Sequence, residues 1–418
     1  MIDKRRVVIT GVGLVTSLGN DVQTNWSNLI AGKSGAGSIT HFDASHFKTQ
    51  FACEVKGLDF SLYMDQKEVK RYDRYSLLAI VASDEAINDA KLIIDEENAS
   101  RYGVIYGSGM GGLHTLDTGI CEYATGDGTP HFSPFFIPKV ISNIAPGILS
   151  IRYGCKGVNF AAASACASSS HAIASAFHYI RLGLADAILA GGSESAIEFT
   201  AVGGFNAMHA LSTRNDAPQT ACRPFSASRD GFVLGEGAAT LVLEEYEHAK
   251  ARGAKIYGEL VGTGMTCDAY HITASEPEGE GAAQAMSLAL QEAGIQPNQI
   301  DYINLHGTST LIGDIAEVKA IKKVFGEYAY SMNLTSSKSM TGHLLGATGA
   351  VEAVISLLSI QNQLVTPTIN HAEGDDDPEI DYALNFTFNK AQARNITYAL
   401  SNSYGFGGQN ACLLFKKL

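Results

Sequence analysis

Cys166 stands in the small-residue run Ala163-Ser-Ala-Cys166-Ala-Ser-Ser169. A strand-like apolar segment ends there and a helical pattern begins, so free backbone N–H groups and the positive end of the helix would favour a thiolate and lower its pKa. A single thiol is by default a packing residue, so its neighbours decide. Two histidines occupy comparable transitions. His306 follows Asp301-Tyr-Ile-Asn-Leu305 and precedes a Gly/Thr turn, and His343 follows Ser336-Ser-Lys338-Ser-Met-Thr-Gly342 and precedes a second helical pattern. Active groups tend to sit on loops held by a rigid sheet. A thiol proteinase needs one base and one orienter, whereas here two imidazoles and a lysine accompany the thiol. The run Ser401-Asn-Ser-Tyr-Gly405-Phe-Gly-Gly-Gln-Asn410 offers backbone N–H groups around one aromatic, which suits either an oxyanion hole with a movable gate or an ordinary tight turn.

Rival motifs are weaker. Gly107-Ser-Gly109-Met-Gly111-Gly112 follows a strand-like run and matches the dinucleotide fingerprint. The segment after it does not read as a long apolar helix, and no strand with an acidic ribose ligand follows about 20 residues on. His306, Asp314 and Glu317 match no strong metal-ligand spacing. Neither a metal nor a cofactor is expected.

The elements that must position these residues come in two similar sets. Arg6–Asn20 reads as a strand, Gly11-Val-Gly13 and a polar turn, and Lys255–Tyr270 repeats this with Gly262-Thr-Gly264. In the first set a helix carries Ile173, Phe177, Ile180 and Leu184 and is followed by the strand-like Ala187–Ala190. In the second, Leu334–Ser339 leads to a helix carrying Val351, Val354, Ile355 and Leu358. Strands alternating with helices predict two related α/β units with mostly parallel sheets, helices lying between them. The boundary falls near residues 250–256, giving units 1–254 and 255–418. His343 then holds the repeat position of Cys166.

Composition bounds the function. The 418 residues, 45% hydrophobic and 17% charged, suffice for two or three domains. With 30 Lys and Arg against 43 Asp and Glu, the net charge of −13 excludes general nucleic-acid binding. Lys67, Lys70, Arg71 and Arg74 form a local basic cluster, either a solvated helix face or a dock for an acidic partner. Seven widely spaced Cys without a CxxC pair indicate a reducing compartment. The start MIDKRRVVITGVGLV runs into a strand and lacks a signal-peptide pattern, so a cytoplasmic protein is expected. The uncharged stretch Gly157–Ile180 carries Ser, Asn and His and is not a membrane span.

Four motifs in order, SACAS around Cys166, LHGTSTLIGD over 305–314, SKSMTGHLLGATGAVE over 337–352 and NSYGFGGQN over 402–410, resemble the β-ketoacyl-acyl carrier protein synthases of the condensing-enzyme, thiolase-like fold. The resemblance covers nearly the whole chain. It implies a five-layer αβαβα fold from two duplicated halves and a homodimer. By that likeness Cys166 accepts an acyl group from acyl carrier protein, while His306 and His343 assist malonyl decarboxylation. Lys338 and Glu352 match a supporting charged pair, and the N–H groups of Cys166 and Phe406, with Gly405 and Gly407, match an oxyanion hole and gate. Thr273, Thr308 and Thr310 match a pantetheine tunnel, and Met110 and Phe205 an acyl pocket. The implied reaction elongates a fatty acyl chain by two carbons. A specialised aryl-polyene or polyketide-like pathway is the alternative, and a non-catalytic partner resembling chain-length factors would typically have lost the nucleophile. The chain departs from the family pattern at Tyr404, Gln409, Pro130, His131 and His209, which leaves Lys67, Lys70 and Arg71 as the main basic residues to meet an acidic carrier.

Overall fold

The computed structural model describes residues 5–418, so the first four residues of the basic N-terminal run lie outside the described residues. The first half supplies strands β1 (Val7–Val15), β2 (Tyr102–Gly107), β3 (Asn159–Ala162), β4 (Ala187–Glu194) and β5 (Gly237–Glu245). Its helices are α1 (Gln66–Arg71), α2 (Arg74–Ala90), α3 (Leu113–Thr125), α4 (Ile144–Tyr153) and α5 (Ser168–Arg181). The second half supplies β6 (Gly258–Cys267), β7 (Tyr302–Asn304), β8 (Asn333–Thr335), β9 (Tyr398–Gly405) and β10 (Gln409–Lys416). Helices α6 (Glu280–Ala293), α7 (Leu311–Phe325), α8 (Lys338–Thr341) and α9 (Thr348–Asn362) accompany them.

Duplication is explicit in the strand order, which is β3-β2-β4-β5-β1 in one half and β8-β7-β9-β10-β6 in the other. In both, the first two pairings are parallel and the last two antiparallel. The sheets are therefore mixed and not mostly parallel as the strand–helix alternation suggested. In the second half the reason is local, because only Phe406, Gly407 and Gly408 separate β9 from β10 and so short a turn enforces antiparallel pairing. The halves meet where β1 and β6 pair at Val7↔Leu260, Val8↔Glu259 and Ile9↔Gly258.

Helices α2 and α4 cover the outer face of the first sheet, α6 and α7 that of the second, and α5 and α9 lie between the sheets. This is the five-layer αβαβα arrangement of the thiolase-like fold. The central core draws Phe177 and Ile180 from α5, Val351 and Ile355 from α9, and Leu413 and Phe415 from β10. Burying each such side chain is worth about 1.5–3 kcal/mol. The apolar spacing expected for α9 catches only part of its role, since every residue from Thr348 to Ile360 is buried. A helix with a sheet on both sides has no solvent face to keep polar. Helix α5 ends at Arg181, before Leu184, which Gly183 at φ +77° turns out to solvent.

The paired glycines lie inside strands, not at turns. A Cβ on Gly11 or Gly13 would fall 2.2 and 1.9 Å from the Ala86 and Ala82 carbonyl oxygens of α2, and one on Gly262 or Gly264 would fall 2.2 and 1.8 Å from those of Ala289 and Ala285 on α6. Each half thus seats its outer helix directly on strand backbone. Replacing Gly264 with Ala forces the two apart and is expected to destabilise the protein by about 1–3 kcal/mol, read as a lower urea midpoint at unchanged m. An unchanged midpoint would contradict this packing.

Candidate active site

Loops that follow parallel strands of the two halves carry the candidate groups. Cys166 sits between β3 and α5, and His343 sits between β8 and α9 at the equivalent place in the other half. His306 follows β7, and Met110 follows its counterpart β2. Because α5 and α9 share the central layer, the thiol and imidazole starts converge: His343 Nε2 lies 3.0 Å from Cys166 Sγ. The His306 ring stands edge-on to His343, centroids 5.5 Å apart, and contacts Tyr404 on its other flank of neighbours at 5.4 Å. A cavity of about 550 Å³ opens onto these groups. Its wall includes Met110, Phe205, Thr273, Thr308 and Thr310, together with Gly405 and Phe406.

Burial governs the electrostatics. Both imidazoles are pushed well below the ordinary 6.5, first by desolvation and then by the nearby Lys338 ammonium, so they are neutral at pH 7. His343 Nδ1 is 3.0 Å from the Thr348 hydroxyl, which fixes the ring so that Nε2 faces the sulfur. The thiol departs from the sequence expectation. Desolvation raises Cys166 to about 12 even though Lys338 and the backbone N–H groups of Phe406 and Cys166 itself favour the thiolate. The resting pair is a neutral thiol against a neutral imidazole, and charge appears only when the proton moves. Ala165, at φ +49°, holds the backbone turn that presents the sulfur.

Lys338 and Glu352 do not line the cavity. They form a buried ion pair behind it, Nζ to Oε1 2.5 Å, at 0% and 1% exposure. Desolvation drives the Glu352 carboxyl up to about 7 while Lys338 pulls it down. Lys67, Lys70 and Arg71 project from α1 at the surface, away from the cavity wall, in a helix begun by an Asp65/Glu68 capping box. Arg74 leaves the cluster: its guanidinium turns inward to grip Glu236 at 2.7 and 2.8 Å.

Three carboxylates that spacing alone did not explain hold the loops. Glu317 accepts the His306 and Gly307 N–H groups at 2.8 and 2.7 Å, and Asp314 accepts those of Phe225 and Ser309 at 2.8 and 3.2 Å. Both are thereby loop anchors and not partners of the His306 ring. Glu194, which the sequence reading passed over, does the same for the glycine-rich segment. It accepts from Gly109 N at 2.7 Å, Met110 N at 3.1 Å and Gly346 N at 3.0 Å. The N–H groups that a dinucleotide phosphate would need are spent on the protein's own anion. An acidic residue closing the otherwise apolar run of β4 was the available signal.

Because burial depresses both imidazoles, they take up protons only as pH falls through those lowered values. The acid limb of turnover is expected below pH 6.5 in a pH–rate profile, and a limb at or above 6.5 would contradict the burial argument.

Comparison with known proteins agrees with this layout. Residues 4–249 match the family model for the beta-ketoacyl synthase N-terminal domain, and residues 257–372 that for the C-terminal domain. The chain is 50% identical over 417 residues to 3-oxoacyl-acyl-carrier-protein synthase 2 of Staphylococcus aureus, covering 100% of this chain and 99% of that protein. It is 48% identical over 416 residues to the protein of the same name from Synechocystis, with 100% and 99% covered. Among solved structures, a beta-ketoacyl synthase from Burkholderia phymatum superposes with a TM-score of 0.91 at 38% identity, covering 99% of this chain and all of that one. A type II polyketide ketosynthase, solved in complex with its acyl carrier protein, gives 0.89 at 34% identity over 99% and 100%. Both halves of the model and the identity along the full length place the chain in the beta-ketoacyl synthase family.

Proposed function

We propose that this protein is an acyltransferase that performs the decarboxylating condensation of an acyl-enzyme with malonyl-acyl carrier protein, giving 3-oxoacyl-acyl carrier protein and CO2 in fatty-acid elongation. The observation that carries the reading is a thiol 3.0 Å from one imidazole with a second imidazole beside it, all lining one cavity. Cys166 attacks the acyl thioester as its proton passes to His343 Nε2, and that proton leaves with the released carrier thiol. The acyl group is then held on sulfur. When malonyl carrier enters, His306 and His343 each turn an N–H to the enolate oxygen formed as the C–C bond to the carboxylate breaks and CO2 departs, His343 now in its Nε2–H tautomer with Nδ1 accepting from the Thr348 hydroxyl. The carbanion attacks the acyl carbonyl. Its oxygen is received by the Cys166 and Phe406 N–H groups, and the C–S bond breaks to return the thiolate, which takes up one proton from solvent.

Lys338 and Glu352 supply field and orientation without bond-making. Thr308 and Thr310, whose hydroxyls lie 3.0 Å apart, and the exposed Thr273 offer hydrogen bonds to an amide arm. Met110 and Phe205 line the acyl end, Phe205 packed edge-on against Phe232, which in turn backs His343. Gly405 and Gly407, the latter at φ +86°, give the Phe406 gate its freedom. The acidic carrier docks on Lys67, Lys70 and Arg71, whose guanidinium lies over the Phe135 ring.

The active species is a homodimer. Strand β3 is a sheet edge with one side unpaired, and Phe132, Phe135, Ile137, Ile141 and Ile151 are exposed on the preceding segments. Sedimentation is expected to give the mass of two chains, and a stable single chain would contradict it. No helix among the described residues is long and apolar enough to cross a membrane, and seven free thiols favour the cytoplasm. The higher identity to the fatty-acid synthases than to the polyketide ketosynthase favours primary elongation over a specialised pathway.

Half-reactions separate the roles. Cys166→Ala is expected to abolish acyl uptake from acyl carrier. His306→Ala is expected to slow malonyl decarboxylation by roughly 100-fold or more while acyl uptake persists. Acyl uptake by the Cys166→Ala protein would sink the assignment.

A further inference from the structure

Three consecutive serines open α5, and all three are fully buried. A buried hydroxyl is costly unless it finds a partner, and each finds a different one. Ser168 Oγ accepts the Ser164 N–H at 2.9 Å and donates to the Ala165 carbonyl at 2.7 Å, which braces the turn before Cys166. Ser170 shares a hydrogen bond of 2.8 Å with the Ser403 hydroxyl on β9. Ser169 reaches into the other half: its Oγ accepts the Ala350 N–H of α9 at 2.9 Å.

The last of these bonds has its reason in α9. The first four N–H groups of a helix lack an intrahelical carbonyl, and the residue ahead of the helix ordinarily supplies an acceptor. Ahead of α9 stands Ala347, whose side chain has no oxygen to offer. Ser169 supplies one from across the seam. The approach is close, since a Cβ on Gly349 would fall 2.0 Å from Ser170 Oγ and 3.0 Å from Ser170 N, so the first turn of α9 lies on the first turn of α5. From there the contacts close on themselves. Thr348, two residues before Ala350, places its hydroxyl 3.0 Å from His343 Nδ1. His343 Nε2 lies 3.0 Å from Cys166 Sγ, and Cys166 stands three residues before Ser169. Sulfur, imidazole, threonine, helix start and serine form one ring of contacts, in which the Ser169 bond ties one helix start to the other.

We propose that Ser169 is a positioning residue: by capping α9 from α5 it fixes the distance between Cys166 Sγ and His343 Nε2, and with it the rate at which the thiol yields its proton. The inference rests on the condensing reading for its catalytic consequence and adds to it a residue outside the cavity wall. A change at Ser169 therefore acts on kcat through proton transfer and leaves carrier recognition, which belongs to the cavity wall and the surface, as it was.

The experiment uses the full-length protein and reads two rates at neutral pH. One is alkylation by iodoacetamide, followed at the Cys166 peptide because Cys121 and Cys267 are exposed thiols; the other is acyl transfer from acyl carrier. Ser169→Ala is expected to slow both by about tenfold or more, with KM for acyl carrier within about twofold of wild type. Ser170→Ala deletes an equally buried hydroxyl of the same turn, and its Cys166 is expected to alkylate within about twofold of the wild-type rate. Because Ser169 and Thr348 act on one ring, the Ser169→Ala/Thr348→Ala protein is expected to be no slower than the slower single variant. Melting temperature is the folding control. If Ser169→Ala does not fold, Ser169→Cys, whose sulfur fills the space but is a weak acceptor, takes its place with the same expected loss. Alkylation at the wild-type rate in the Ser169 variant, an equal loss in Ser170→Ala, or losses that multiply in the double variant overturn the proposal. A wild-type protein that is alkylated at Cys166 but accepts no acyl group overturns the parent reading instead, so the two failures are distinguishable.

Discussion

The contact on which the molecule depends is a sulfur atom against an imidazole nitrogen where two similar α/β units meet, 3.0 Å apart and buried at the base of a cavity. Neither half can make it alone. The thiol belongs to the start of α5 and the imidazole to the start of α9, and only the stacking of those helices between two sheets brings the starts together. Cys166, His306 and His343 are at most 9% exposed beside the apolar core that α5 and α9 share, so the site is poorly solvated. Dryness sets the chemistry: a thiol raised by burial and imidazoles lowered by it rest uncharged, and the transition state meets donors that have not been spent on resting charges.

Keeping such a site in shape requires loops whose backbone donors are satisfied without water. The protein solves this twice in the same way. After β7, Glu317 takes the N–H groups of His306 and Gly307; after the equivalent β2, Glu194 takes those of Gly109 and Met110 and reaches across to Gly346, three residues beyond His343. Burial lifts both carboxylates to about 7, and the N–H donors offset that cost. The Met110 loop and the His343 loop are thus fastened to one carboxylate. Paired glycines in β1 and β6 perform the matching task on the outside, letting α2 and α6 lie directly on strand backbone.

Much of this was legible beforehand because it is written in local pattern. The Gly-x-Gly strands, the apolar helices after Cys166 and His343, and the four motifs sit in contiguous residues, and contiguous residues set short-range structure. What the sequence hid depends on distant partners. The place of Gly11 and Gly13 as seats for α2 emerges only once a helix is laid on them. The Gly107–Gly112 run looks like a phosphate cradle until Glu194 is found filling it. Arg74 reads as part of a basic face, yet Glu236, 162 positions away, turns it inward. A helix start lowers a thiol only where the site is open enough for that field to outweigh desolvation, and depth of burial at Cys166 is a property of the assembled layers.

The central claim is that one sulfur carries the growing chain between two reactions in the same cavity. A single-turnover chase on the wild-type protein tests it most directly: load with one equivalent of acyl carrier, remove the free carrier, add malonyl carrier, and follow intact-protein mass and CO2 together. The account predicts one acyl adduct, mapped to the peptide containing Cys166, that disappears with release of one CO2 and appearance of one 3-oxoacyl carrier. An adduct on another residue, or CO2 released while the adduct stays in place and no 3-oxoacyl carrier forms, would contradict it.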